Sequence, residues 1–326
     1  MRPIQTCTDG SLRLPTREKA MKIVAAALAC LVLTQPAFAF DLQGHRGARG
    51  LAPENTLPAF AAALSLGVTT LELDTAIAKD GVVVISHDAT LNPDITRTKD
   101  GKWLNRRGPA IRSLTFLELQ QYDVGRMRPG TDYAERYPGQ QPVDGARIPR
   151  LADLFALVRT SGNEQVRFNI ETKMSPLEPG DTPDPETFAG TLIGAIRQEG
   201  MAARVTIQSF DWRTLQVVQR VAPEIPTAYL SAQQRFLDNI AADNPAGSRW
   251  TAGFQYREHG SVPRMVKAAG GRIWSPYYGD LSGGALGEAR ELGLRVIVWT
   301  VNDPVQIKSM LDLGVDGIIS DRPDLV

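Results

Sequence analysis

From residue 40 onward, short β-rich runs alternate with stretches whose apolar positions recur at helical spacing. Eight strand units are predicted: 42–47, 69–77 with a hairpin partner at 82–87, 166–173, 204–210, 227–231, 272–278, 295–301 and 317–321. Between them lie helical patterns such as LPAFAAALSLG, PETFAGTLIGAIRQEG and PVQIKSMLDLG, each closing on a glycine suited to a helix C-terminus. Eight strand-helix units over residues 40–326 predict an α/β protein of the (β/α)8 TIM-barrel class. An open, doubly wound sheet is the competing arrangement.

Two features depart from that rhythm. The first is the hairpin: with Asp80-Gly81 as a two-residue turn, Lys79 faces Val82, paired residue numbers sum to 161, and His87 stands opposite Asp74. A three-residue loop with a glycine bulge shifts this register but still returns His87 to the same end of the sheet. The second is the stretch 91–145, polar and rich in Arg, Gly and Pro, which reads as an insertion on the barrel rim after the hairpin, with a short helix at 114–122. Such a segment either shapes substrate access or is a solvated loop.

Composition narrows the class. Of 326 residues, 43% are hydrophobic and 22% charged with zero formal charge, which suits a globular fold and leaves no basic excess for nucleic acid. The N-terminus is different in kind: Lys22, an apolar run, a break at Gln35-Pro36 and Ala37-Phe38-Ala39 form a signal-peptide pattern with cleavage after Ala39. The polar residues 1–20 are foreign to such a signal, so Met21 is the expected initiator. The expected division is therefore a leader at 1–39 and one barrel domain at 40–326, exported to the periplasm or secreted, with no stable membrane span after cleavage. Both cysteines, Cys7 and Cys30, fall in the leader, so the mature chain has no disulfide, thiolate zinc site or cysteine nucleophile. A lipid-anchored reading at Cys30 is disfavoured by Ala27, where leucine is usual. The mature chain carries 31 Lys and Arg against 34 Asp and Glu, a formal charge of −3.

A barrel enzyme works at the C-terminal ends of its strands. Those ends supply His45 and Arg46, Glu72 and Asp74, His87 and Asp88, Glu171 and Lys173, Gln208, Trp299 and Asn302, and Asp321. Residues two apart on a strand share a face, which joins Glu72 to Asp74 and Glu171 to Lys173. Three carboxylates this close repel one another unless a cation or protons intervene. An all-oxygen set without cysteine favours one divalent cation, calcium or magnesium; Arg46 or Lys173 as counter-ion is the plainer alternative. Two imidazoles beside such a site suit attack at phosphorus, which needs a base, an acid and positive charge on the phosphoryl oxygens. His259, in a polar linker, reads as structural.

The segments GHRGARGLAPENTLPAF (44–60), LELDTAIAKDGVVVISHD, NIETK, IQSF and VIVWTVND followed by GVDGIISDRP together resemble the glycerophosphodiester phosphodiesterases along almost all of residues 40–326. The resemblance implies a TIM barrel that hydrolyses glycerophosphodiesters, small-molecule substrates, to glycerol 3-phosphate and an alcohol. It implies His45 and His87 as the acid/base pair, Glu72, Asp74 and Glu171 as metal ligands, and Arg46 and Lys173 as a phosphate clamp. Gln208 and Trp299 would line the substrate pocket, and a cyclic phosphate formed by the substrate's own 2-hydroxyl would be the intermediate. Asn55 reads as a cap of the first helix. A related barrel acting on lysophospholipids or other phospholipids, and a solute-binding barrel without catalysis, are the alternatives; the oligomeric state is left open.

Overall fold

The computed structural model describes residues 39–326. The expected initiator Met21, the apolar leader and both cysteines lie outside the described residues. Eight parallel strands run β1 (Asp41–Gly44), β2 (Thr70–Ile77), β4 (Arg167–Thr172), β5 (Val205–Ser209), β6 (Thr227–Ser231), β7 (Ile273–Pro276), β8 (Arg295–Val298) and β9 (Gly317–Ser320), with β3 (Val83–Ile85) paired antiparallel on β2. β1 pairs with β9 on one side and β2 on the other, so the sheet closes and the open-sheet alternative falls. The fold is a (β/α)8 barrel.

Seven helices of seven or more residues lie between these strands: α1 (Leu57–Ser65), α2 (Leu151–Thr160), α3 (Pro185–Gln198), α4 (Trp212–Val221), α5 (Val262–Ala268), α6 (Gly283–Glu291) and α7 (Pro304–Leu313). Several begin by one rule, a capping side chain followed by proline: Thr56 before Pro58, Asp184 before Pro185, Ser261 before Pro263 and Asp303 before Pro304. A 3₁₀ turn at Pro323–Leu325 follows β9.

The barrel has two interiors. Leu71 and Leu73 of β2, Phe168 and Ile170 of β4, and Ile207 of β5 share one apolar cluster with helix residues Phe60, Phe155, Phe188 and Trp212. Phe155 meets Phe168 edge to face at 4.9 Å, and burying each such ring contributes about 1.5–3 kcal/mol. A second set, Ala228, Ile273, Ile297 and Ile319, forms a small cluster with Trp299. Alternate positions of β1, β2, β4 and β5 instead bury Gln43, Glu72, Asp74, Asn169, Glu171 and Gln208.

The hairpin register differs from the two-residue-turn expectation. Thr75 faces Ile85 and Ile77 faces Val83, a sum of 160, so Ala78 faces Val82 across the three-residue loop Lys79-Asp80-Gly81. Gly81 takes φ +78°, a left-handed turn that glycine alone adopts cheaply. The one-residue shift puts Ser86, not His87, opposite Asp74, with the Ser86 N–H donating to the Asp74 carbonyl at 3.0 Å.

Within 91–145, Leu91, Ile111, Leu119 and Val124 pack with Ile148 on Ala76, Ala78 and Val84 to form a second small core. One of its short helices, Phe116–Leu119, is closed at its start by a reciprocal Thr115–Glu118 capping box.

Candidate active site

The loop from β1 to α1 is the most constrained backbone at the barrel mouth. Arg46 (φ 51°) and Asn55 (φ 55°) are left-handed without being glycine, at a cost of about 1–2 kcal/mol for Arg46 and less for Asn55, whose side chain tolerates this region. That twist aims the Arg46 N–H at Glu72 Oε2 (2.8 Å) and its guanidinium at Glu54 Oε1 (2.9 Å) and Asp74 Oδ2 (3.3 Å). Asn55 does not cap α1: Thr56 does, while Asn55 donates to Asp74 Oδ2 at 2.8 Å. Gly47, at φ +86°, touches α1, and an added Cβ would stand 2.7 Å from the Ala59 backbone. Gly47→Ala is therefore expected to destabilise the fold by about 2–5 kcal/mol, from left-handed strain plus overpacking, in urea unfolding. An unchanged midpoint would show that this contact does not constrain the loop.

Glu72, Asp74 and Glu171 each offer an oxygen within 4.8 Å of the others, and all three are buried. β2 and β4 place them, with Asp74 beside Glu171 in register. Lys173 Nζ lies 2.9 Å from Glu171 and 3.8 Å from Asp74, so both expected counter-ions, Arg46 and Lys173, are in place. They do not suffice. Glu54, Glu72, Asp74, Glu171 and Asp321 are five carboxylates packed here against three cations, Arg46, Arg49 and Lys173, an excess of two negative charges when all ionise. Burial, followed by repulsion from Asp74, raises the Glu72 carboxyl well above the ordinary range, and burial pushes Glu171 up to about 7. Asp74 goes the other way: His87, Arg46 and Lys173 together outweigh its burial and hold it low. Asp74 Oδ1 is buried without a hydrogen bond. Oxygens spaced so closely, one of them without a hydrogen bond, among carboxylates that outnumber their cations, fit a hard divalent cation.

Each imidazole is oriented by a carboxylate. His45 Nδ1 lies 2.6 Å from Asp321 Oδ1, and since a carboxylate only accepts, Nδ1 carries the proton and Nε2 is free, 3.9 Å from Glu72. Arg49 Nη2, 3.3 Å from that same Nδ1, cannot donate to a protonated nitrogen, so it acts on the ring by charge alone. Asp321 is itself fixed by Arg49 (2.8 Å) and by the Asn302 amide (2.7 Å). His87 Nδ1 meets Asp88 at 2.8 Å, and Asn92 holds the second Asp88 oxygen at 2.8 Å. Burial lowers both rings to about 4, His45 further through Arg49 and His87 further through Arg46 and Lys173, so both are neutral near pH 7.

His45, His87, Arg46, Glu72, Glu171 and Lys173 line one cavity of about 790 Å³, whose apolar side includes Phe210, Trp250 and Trp299. Trp299 donates its indole N–H to the Ser275 carbonyl at 2.9 Å and meets Phe210 edge to face at 5.2 Å. Gln208 reaches the cavity but its amide donates to Glu72 Oε1 at 2.8 Å, which makes it a support of the carboxylate nest. His259 is absent from the lining and sits by Phe254. Sequence reasoning missed Arg49 and Glu54, which lie in the Gly-rich loop where exposed charge is the ordinary reading. It also missed Tyr137, which brings 91–145 to the mouth and stacks on Arg49 at 4.7 Å. Asp321 was visible as a strand-end acid, but not as the partner of His45.

The Asp321 carboxylate carries a further expectation. Asp321→Asn is expected to lower kcat by roughly 10²-fold with little change in KM, because His45 loses its fixed tautomer while the substrate contacts remain. Steady-state kinetics decide this, and an unaltered kcat would remove Asp321 from the catalytic account.

A closed barrel whose C-terminal mouth joins two carboxylate-held imidazoles to a buried acidic nest defines a barrel hydrolase. Residues 45–325 match the Glycerophosphoryl diester phosphodiesterase family. A glycerophosphodiester phosphodiesterase of Caldanaerobacter subterraneus subsp. tengcongensis is 27% identical over 281 residues, covering 86% of this chain and 93% of that protein. A crystal structure of a Silicibacter pomeroyi DSS-3 protein assigned to the same family superposes with TM-score 0.78 at 34% identity, covering 88% and 91% of the two chains. An Oleispira antarctica phosphodiesterase, solved with the product sn-glycerol-3-phosphate, shares the fold at 21% identity and TM-score 0.62, covering 88% of this chain and 95% of that one. The chain belongs to the glycerophosphoryl diester phosphodiesterase family and is a phosphoric diester hydrolase.

Proposed function

We propose that this protein hydrolyses glycerophosphodiesters to sn-glycerol 3-phosphate and an alcohol through a cyclic phosphate, with His45 and His87 exchanging acid and base roles. The carrying observation is that His45 and His87, from separate strand ends, line one cavity with Glu72 and Glu171 of the acidic nest. Glu72, Asp74 and Glu171 would hold one calcium or magnesium ion, which when bound supplies Lewis-acid polarisation of a phosphoryl oxygen. Arg46 and Lys173 bear on the same anionic oxygens. In the first step the substrate's 2-hydroxyl oxygen bonds to phosphorus and gives its proton to one imidazole. The bond to the leaving oxygen breaks, and the other imidazole, which takes up a proton on Nε2 beside the anionic phosphodiester, gives that proton to the leaving oxygen. Water then opens the ring with the roles reversed, restoring both imidazoles.

The test is alcohol release from glycerophosphocholine, glycerophosphoethanolamine and lysophosphatidylcholine at defined calcium and magnesium concentrations. Turnover of the deacylated diesters that needs a divalent ion supports the reading, and full activity in excess chelator contradicts it. Lysophosphatidylcholine is included because Phe236, 65% exposed while lining the mouth, offers an acyl chain apolar surface. The leader pattern at 21–39 supports export, with a mature chain starting at Phe40; N-terminal sequencing of the exported protein tests that point.

A further inference from the structure

Beneath the acidic nest a file of amides crosses the barrel. Gln208 Nε2 donates to Glu72 Oε1 at 2.8 Å, and Gln43 Nε2 donates to Asp41 Oδ2 at 3.0 Å. Between the two glutamines stands Asn169, whose Nδ2 donates to Gln208 Oε1 and to Gln43 Oε1, each at 2.8 Å. All five residues are at least 96% buried.

The polarity of this file is fixed by its ends. Asp41, which also accepts from Thr69, Thr70 and Arg167, and Glu72, when ionised as a cation ligand must be, are carboxylates that only accept. Both glutamines must therefore turn their NH₂ groups outward and their carbonyls inward. The residue in the middle has to donate twice. Asparagine is the side chain of this size whose single NH₂ does so, and in doing so it leaves its own Oδ1 buried without a partner. A core selected for stability alone would avoid that unpaired acceptor.

We propose that Asn169 is a positioning residue for Glu72. By occupying the Gln208 carbonyl it locks the amide with its N–H toward the carboxylate, leaving Glu72 shaped and oriented as a cation ligand. The inference rests on the reading of Glu72, Asp74 and Glu171 as that ligand set. Asn169→Asp preserves shape but reverses the file: a carboxylate at 169 draws both glutamine NH₂ groups inward and turns the Gln208 carbonyl against Glu72.

The experiment measures calcium binding by titration calorimetry, without substrate, for wild type, Asn169→Asp, Gln208→Ala and the double variant. It also records the Gln208 side-chain amide resonance and the melting temperature. The expected results are binding about 10-fold weaker in Asn169→Asp, an effect absent when Gln208 is already alanine, and a displaced Gln208 amide resonance. An unmoved Gln208 resonance, or equal loss of binding in the Gln208→Ala background, overturns the proposal even if the variant melts lower. Should Asn169→Asp fail to fold, Asn169→Ser is read the same way, since one hydroxyl cannot serve both carbonyls. If wild type binds no calcium or magnesium, the cation reading fails, while the resonance still decides whether Asn169 sets the Gln208 amide.

Discussion

His45→Ala and His87→Ala are each expected to lower kcat/KM for glycerophosphocholine by at least about 10³-fold, the upper part of the range for a general acid or base, because each ring acts in both steps. The fold should survive both changes. His45 and His87 lie at strand ends outside the apolar clusters, and each donates to a carboxylate that keeps other partners: Arg49 and Asn302 on Asp321, Asn92 on Asp88. Melting temperature and steady-state kinetics together separate catalytic loss from unfolding. If either variant turned over substrate at a tenth of the wild-type rate or faster, a two-imidazole mechanism would be untenable.

Asp74→Asn is expected to weaken calcium or magnesium binding by more than about 10²-fold, beyond what partners outside the direct ligands cost, and to abolish turnover. Asp74 is the suited target because its Oδ1 is the oxygen with no protein hydrogen bond, while Asn55 holds Oδ2 and would retain an asparagine in place. Binding should appear as stability: an ion present at a hundred times its dissociation constant raises unfolding free energy by about 2.7 kcal/mol. Wild type should melt higher on adding calcium or magnesium, and Asp74→Asn should not. An equal thermal shift in both proteins would place the ion elsewhere.

The residue types and strand-end positions of His45, His87, Glu72, Asp74, Glu171 and Lys173 were legible in the sequence, because alternation along a strand fixes which side chains share a face. Asn55 and Gln208 were legible as residues but not as roles. Asn55 precedes a helix and reads as its cap, whereas the left-handed loop turns it to Asp74. Gln208 reads as pocket lining and does lie on the cavity wall, but the commitment of its amide to Glu72 is a contact that only the fold creates. The hairpin shows the limit of local inference: a two-residue and a three-residue loop both fit Lys79-Asp80-Gly81, and only the paired strands select the register.

By itself the sequence determined the alternation of strand and helix, the capped helix starts, and the concentration of ionisable groups at strand ends. These are local properties, set by backbone sterics and by the periods of apolar positions. Barrel closure decided the rest. His45 meets Asp321 across 276 residues, and Asn169 meets Gln43 across 126, because β1 pairs with β9 and the strand interiors face a common axis. A charge acquires its role from the groups that surround it after burial, and that neighbourhood exists only once the sheet has closed.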